Sequence, residues 1–242
     1  MAAAFGWGLL AASSLVIGAL IALRFRIGLR TIGLIMGFGA GVLISAVAFD
    51  LVEEAADMGS HEAVIAGLFA GCAVFFIGDL LISRMGGSER KSAAGRQESG
   101  SALAIVLGTV LDGIPESMVI GVTIFEGGAV GAAFLAAVFI SNLPEAISST
   151  AGLVSGGWER ARILWMWIAI ALVSGLASLA GYGLFQGAST NVVAFVLAFA
   201  AGAILTMLAD TMMPEAYEHS GKLVGVVATL GFAVAFTIHA LD

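Results

Sequence analysis

Long apolar runs separated by short polar turns divide this sequence. The runs cover about residues 4–23, 31–52, 62–83, 101–125, 128–152, 162–185, 190–213 and 221–240. Each is close to the roughly 20 residues that a helix needs to cross a bilayer core. They do not alternate in polarity as the strands of a membrane barrel do. Because backbone groups in lipid must be satisfied within the segment, we expect an all-α membrane protein, an eight-helix transmembrane bundle forming a single domain over residues 1–242.

The composition supports this class. Hydrophobic residues make up 60% of the 242 positions and charged residues 11%, with a mean hydropathy of +1.06. A soluble domain has about a quarter charged residues, so too little polar surface remains here to cover a soluble globule. The single cysteine, Cys72, allows no intramolecular disulfide. Nothing in the net charge of -7 suggests a nucleic-acid partner.

The basic residues predict the orientation of the bundle. They fall only in the turns after spans 1, 3, 5 and 7, at Arg24, Arg26, Arg30, Arg84, Arg90, Lys91, Arg96, Arg160, Arg162 and Lys222. By the positive-inside rule these turns, including a loop at residues 84–100, are cytoplasmic and both termini are outside. The first run has its charges behind it, so we expect a retained span and not a signal peptide.

A repeated Pro-Glu step is the main motif. The chain has three prolines, and a glutamate follows each of them. The first two steps lie near the middle of spans 4 and 5, in residues 111–117 and 140–146, which align without gaps. A proline inside a helix pushes away the carbonyl four residues earlier, which would free the carbonyls of Leu111 and Ile140 as oxygen ligands.

Helical spacing brings polar side chains together around these prolines. Asp112 and Glu116 are four residues apart and share a helix face, as do Ser141 and Glu145. Asn142 lies three residues before the second glutamate, on the same side. A short turn joins spans 4 and 5, so we expect them to be antiparallel neighbours that gather these oxygens near the membrane midplane.

Carboxylates in hydrocarbon require compensation. One at the bilayer centre costs about 2.5–3.5 kcal/mol. No Lys or Arg occurs between Arg96 and Arg160, which excludes ion pairing with a nearby basic residue in the sequence. The carboxyls are therefore protonated, bound to a cation, or alternate between the two states, as a metal or proton-coupled transporter requires. The alternative is a packing feature whose carboxyls stay protonated or contact serines.

A second internal match links spans 2 and 7. Residues 39–44 lead to Glu54 and residues 200–205 lead to Glu215, with Gly41 over Gly202 at the same offset. The two spans run in opposite directions, as inverted repeats do in secondary transporters. The acidic turn at residues 53–62 is either a solvated loop or a collector of metal.

With these motifs the chain resembles the ZIP family of divalent metal transporters. The resemblance covers nearly all of it: eight spans, a loop between spans 3 and 4, paired Pro-Glu motifs in spans 4 and 5, and the small-residue and Pro-Glu-Ala signatures of spans 2 and 7. Asp112, Gly113 and Glu116 take the positions of the family's span-4 histidine, asparagine and glutamate. The corresponding span-5 positions are taken by Ser141, Asn142 and Glu145.

The chain also departs from the family pattern. Neither motif contains a histidine, and span 6, which in some members supplies an acidic ligand, offers only Ser174 and Ser178. The resemblance therefore implies a divergent, prokaryotic-like member with one metal site. Carboxylate, amide and water ligands suit Mg²⁺, Mn²⁺ or Ca²⁺, whereas imidazole suits Zn²⁺; zinc also binds carboxylates.

The expected function is transport of Zn²⁺, or of a related ion such as Mn²⁺, Fe²⁺ or Cd²⁺, toward the cytoplasm. The expected metal ligands are Asp112, Glu116, Asn142, Glu145 and Ser141. The metal is the substrate, no organic cofactor is expected, and the resemblance implies a homodimer in the inner membrane of a prokaryote. The alternatives are a non-transporting scaffold or metal sensor, and a carrier of a harder cation such as Mg²⁺. A membrane-embedded enzyme would need a nucleophile or zinc-water motif that is not present.

Overall fold

The computed structural model describes residues 1–87, 102–125 and 132–241. The predicted loop at 84–100 lies mostly outside the described residues. Regular structure in the described ranges is helical: α1 (Ala2–Arg24), α2 (Leu29–Ala46), α3 (Glu54–Met58), α4 (His61–Ile82), α5 (Ala102–Phe125), α6 (Ala132–Ser155), α7 (Arg160–Leu184), α8 (Thr190–Met207), α9 (Met213–Ser220) and α10 (Leu223–His239).

Seven helical stretches of the described chain are long and apolar enough to cross a membrane, and α10 is apolar with 17 residues. The outward face of α4 exposes large apolar side chains. Phe69 is 72% exposed there, and Ile65 and Ile77 are each 55% exposed. An apolar surface of this kind is stable against lipid or another protein and not against water. The expectation of an all-helical membrane protein is confirmed at this level.

Two helices are interrupted at matching positions by a wider, π-helical turn. The first π-segment (Val47–Glu53) joins α2 to α3, and the second π-segment (Leu208–Met212) joins α8 to α9. The second has a local cause, because Pro214 in the first turn of α9 has no amide hydrogen to continue the helical ladder. No proline stands at the first break. In both, the break precedes the acidic residue of the sequence repeat, Glu54 or Glu215.

Glycines bring two helix pairs into backbone contact. In the pair of α4 and α8, a Cβ on Gly71 would overlap the carbonyl oxygen of Phe199, and one on Gly202 would overlap that of Leu68. Helices approach this closely only where small residues stand at the crossing. In the pair of α2 and α10, the same overlap would occur between Gly231 and the carbonyl oxygen of Phe38.

A second group of helices consists of α1, α5, α6 and α7. Within it α1 packs on α6 and α7, and α5 packs on α7. Gly121 of α5 lies against the carbonyl oxygen of Ser178, and Gly18 of α1 lies against the backbone of Leu143. The buried Ser178 hydroxyl donates a 2.8 Å hydrogen bond to the carbonyl of Ala4. These backbone contacts tie the four helices together.

The contacts between the two groups are less close. A Cβ on Gly39 of α2 would meet the Pro144 ring of α6 at 3.2 Å and the Ser141 Cα at 3.3 Å, with no carbonyl oxygen among its nearest neighbours. On the other side of the bundle, a Cβ on Gly78 of α4 would meet the Leu111 side chain at 2.9 Å. We call this boundary, between α1, α5, α6 and α7 on one side and α2, α4, α8 and α10 on the other, the seam.

Candidate metal site

Polar side chains on α5 face the interior of the bundle. Thr109, Asp112 and Glu116 occur at the spacing of one helix face, and they are 5%, 5% and 3% exposed. Ser117, on the adjoining face, is 4% exposed. The helix continues through Pro115, which lies between the two carboxylates. The carboxylates predicted for span 4 are therefore turned away from lipid.

A longer polar stripe follows α6. Ser141, Asn142 and Glu145 are 2%, 8% and 5% exposed, and Ser148 and Ser149 continue the stripe for another turn at 0% and 1%. The Ser141 hydroxyl donates a 3.0 Å hydrogen bond to the Val138 carbonyl of its own helix. Its oxygen lone pairs, not its proton, are what it can offer to a cation.

The two polar stripes meet less directly than the sequence suggested. Helix α6 packs mainly on α1 and α2, helix α5 packs mainly on α7, and α5 and α6 share only a small contact, with α1 touching both. In the described parts of the chain, no three side chains of His, Cys, Asp or Glu form a group that could hold a metal ion. The five predicted ligands are thus all buried in the bundle, but their three carboxylates do not form one cluster in this conformation.

The α7 side of the site is uncharged. Ser174 is 5% exposed, and its Oγ lies 3.5 Å from where a Cβ on Gly113 would be. The absence of a side chain at Gly113 therefore allows the Ser174 hydroxyl to lie close to α5. Behind it, the Trp167 Nε1 donates a 2.8 Å hydrogen bond to the Thr150 hydroxyl, which fixes α7 against α6.

An acidic cavity lies where α3 and the C-terminal end of α10 meet. It has a volume of about 480 Å³ and is lined by Phe49, Asp50, Glu53, Glu54, Asp57, Met58 and His239. His239 Nδ1 is 2.6 Å from Asp50 Oδ1, and its ring stacks on Phe49 with a centroid distance of 5.5 Å. The sequence interpretation missed this pair, because the two residues are 189 positions apart.

A second histidine–carboxylate pair lies on α9. His219 Nε2 is 2.9 Å from Glu215 Oε1, one helical turn earlier, and the two side chains are 7% and 11% exposed. Gly33 of α2 provides the space for this pair, since a Cβ there would meet the His219 Cβ at 3.0 Å. A further acid, Asp79 of α4, was not identified from the sequence; its Oδ1 is buried. The position of this acidic residue inside the apolar run of span 3 was the sequence feature that could have identified it.

These features define a multi-pass helical membrane protein with carboxylates inside its bundle. No protein-family model matches the chain. The chain is similar to a protein of Arabidopsis thaliana named “Putative zinc transporter”, with 26% identity over 204 residues. The match covers 83% of this chain and 32% of the plant protein, so the chain spans about a third of that relative's length.

Proposed function

We propose that this chain is a ZIP-type transporter that moves a divalent metal cation across the membrane toward the cytoplasm. The observation that carries the proposal is the burial of Asp112, Glu116 and Glu145, each at most 5% exposed, on two apolar helices with a central proline. Charged carboxylates in such surroundings are rare and mark ion pathways. The similarity to a protein named as a zinc transporter supports the same class.

The proposed site uses Asp112, Glu116, Asn142, Glu145 and Ser141 as ligands. Since the three carboxylates are not grouped in this conformation, binding requires α5 and α6 to shift relative to each other. Protons on Glu116 and Glu145 would then be exchanged for the metal, which keeps the interior close to neutral in both states.

A movement of α1, α5, α6 and α7 against α2, α4, α8 and α10 would supply that shift. Support comes from the different contacts inside and between the two groups. Within each group, glycines lie directly against backbone carbonyl oxygens. At the seam, Gly39 faces the Pro144 ring and the Ser141 Cα, and Gly78 faces the Leu111 side chain, with no carbonyl oxygen among the nearest atoms. Side chains can change rotamer as helices slide, but a backbone carbonyl cannot.

We also propose that the two halves are inverted repeats, with both termini outside. Two sets of matched features support this. The helix breaks after α2 and α8 precede equivalent residues, and the carbonyls of Phe38 and Phe199, one repeat apart, meet Gly231 and Gly71. In this orientation the acidic cavity with His239 faces outward, where it would attract cations, and the Glu215–His219 pair faces the cytoplasm.

The proposed ligand atoms are compatible with several divalent metal ions. Carboxylate, amide and hydroxyl oxygens suit Mg²⁺ and Mn²⁺ at least as well as Zn²⁺, and the relative's name favours zinc. We propose Zn²⁺ or a related transition ion (Mn²⁺, Fe²⁺ or Cd²⁺) as substrate, with Mg²⁺ as the alternative. A homodimer in a prokaryotic inner membrane is the assembly we propose for it.

Uptake into proteoliposomes tests the proposal. Purified protein is reconstituted, and entry of Zn²⁺, Mn²⁺, Fe²⁺, Cd²⁺, Mg²⁺ and Ca²⁺ is followed with a trapped fluorescent chelator. Glu116→Gln and Glu145→Gln should each abolish uptake of the transported ion, because one charge of the pair is removed at nearly constant shape. Glu159→Gln, which changes an exposed carboxylate at the start of α7, is the matched control and should transport like the wild type. Undiminished uptake by both interior variants would refute the ligand assignment.

A non-transporting metal sensor is the second candidate. It is favoured by the absence of a three-residue metal-binding group in the described chain and by motifs without histidine. The same liposomes distinguish the two functions. A sensor binds the metal with an affinity that depends on Glu116 but produces no flux, whereas a transporter shows both.

A further inference from the structure

A groove opens between the end of α1, the beginning of α2 and the last turns of α6. Its volume is about 550 Å³, within the range of roughly 300–1,000 Å³ that ligand sites occupy. Its walls are mostly apolar, with Ile27, Ile32, Ile147 and Val154 among them, and Arg26 stands at its rim. Ile32 and Ile147 are nearly fully buried, and Val154 is 43% exposed, so the groove leads from the interior to the surface.

The charge around the groove is positive. Arg26 is the one charged residue among those that line it. Arg24 and Arg30 are exposed in the same turn, and the Arg24 guanidinium lies 5.5 Å from the centre of the exposed Phe25 ring. Arginines that directly follow an apolar helix are typical of its cytoplasmic end at the membrane–water interface.

We propose that this groove binds an anionic phospholipid of the cytoplasmic leaflet. The phosphate would lie against Arg26, and an acyl chain would follow the wall formed by Ile32, Ile147 and Val154. Basic pockets between transmembrane helices on the cytoplasmic side bind such headgroups. The lining of the groove explains this choice of ligand. It contains no carboxylate that could bind a metal cation. Inorganic phosphate has no apolar part that could pack against the isoleucine and valine wall.

The site has a consequence for the proposed movement. The groove is bounded by α1 and α6 from one helix group and by α2 from the other, so it crosses the seam. A lipid in it contacts both groups. The binding inference itself rests on membrane insertion and on the inner position of the basic turns, and it is independent of which ion is transported.

Native mass spectrometry of the purified protein tests the site. Phosphatidylglycerol and phosphatidylcholine with identical acyl chains are added in turn, and the lipid retained per protein is counted. The wild type should retain phosphatidylglycerol preferentially. Arg26→Gln should weaken that binding about fivefold, the effect of one basic residue near a membrane surface. Val154→Trp, which fills the outer part of the groove, should reduce binding of both lipids.

Matched controls separate this groove from the general surface. Arg160→Gln removes a basic residue from the same end of the bundle, and Leu176→Trp adds bulk to an exposed apolar position of α7; both should bind lipid like the wild type. Gel filtration and a melting curve establish that each variant is folded. Equal loss from Arg26→Gln and Arg160→Gln would overturn the site, as would unchanged binding by Val154→Trp. Displacement of the lipid by millimolar inorganic phosphate would show a simple anion site and also overturn it.

Discussion

The contact of Gly71 with the backbone of α8 gives the sharpest prediction about stability. In Gly71→Ala the new Cβ would overlap the Phe199 carbonyl oxygen and would stand 3.0 Å from the Ala203 nitrogen, where 3.4 Å is the beginning of ordinary contact. Neither atom belongs to a side chain that can rotate away. The two helices must therefore separate by on the order of 1 Å, which weakens packing along their whole crossing.

The expected difference in melting temperature follows from two opposing contributions to the free energy of unfolding. Overpacking of a tight core costs about 1–3 kcal/mol, and a backbone neighbour puts this case at the upper end. The control Gly225→Ala adds a methyl where nothing lies within 4 Å, and alanine in a helix is favoured over glycine by about 1 kcal/mol. The melting temperatures of the two variants in detergent should differ by about 5–10 °C.

The repeat adds a second comparison to this experiment. Gly231→Ala would meet the carbonyl oxygen of Phe38 and the nitrogen of Val42, the counterparts of the atoms that face Gly71. Its melting temperature should fall by a similar amount. Equal stability of Gly71→Ala and Gly225→Ala would refute the close crossing, and a large difference between Gly71→Ala and Gly231→Ala would argue against equivalent halves.

Three further changes have defined outcomes in the same melting assay. Trp167→Phe removes the donor to Thr150 inside the bundle and should cost about 1–3 kcal/mol, lowering the melting temperature. Ser45→Ala should raise it by about 2–4 °C, because the buried Ser45 hydroxyl has no hydrogen-bond partner among the described residues; a decrease would reveal a partner. Asp50→Ala should lower the melting temperature, because it removes the carboxylate oxygen that lies 2.6 Å from His239 Nδ1; an unchanged melting temperature would show that this contact does not stabilise the fold.

Much of the fold follows from the sequence because lipid leaves the backbone few options. Runs of about 20 apolar residues must be helical, and the helices of the structure lie over these runs. The burial of Asp112, Glu116 and Glu145 could also be predicted from the sequence, since turning these side chains outward would expose their charge to hydrocarbon. Even the break between α8 and α9 had a local signal in Pro214.

Other features depend on relations that a single sequence does not contain. The break after α2 has no proline, so the helix pattern gave no reason to expect it. The pairing of Asp50 with His239 joins positions far apart in the chain. The short connection between α5 and α6 predicts that they are close neighbours. In the structure, α5 packs mainly on α7, and α6 packs mainly on α1 and α2. Adjacency along the chain is a weak guide when other helices offer better-fitting small residues.

The division between backbone contacts and side-chain contacts has a consequence for how variation can affect this protein. Added bulk within a helix group, as at Gly71 or Gly121, acts on whether the protein folds at all. Added bulk at the seam, as at Gly78, meets the Leu111 side chain, which can change rotamer, so its cost is expected in turnover and not in melting temperature. Substitutions at different glycines of the same chain would thus change the transport rate and the stability separately.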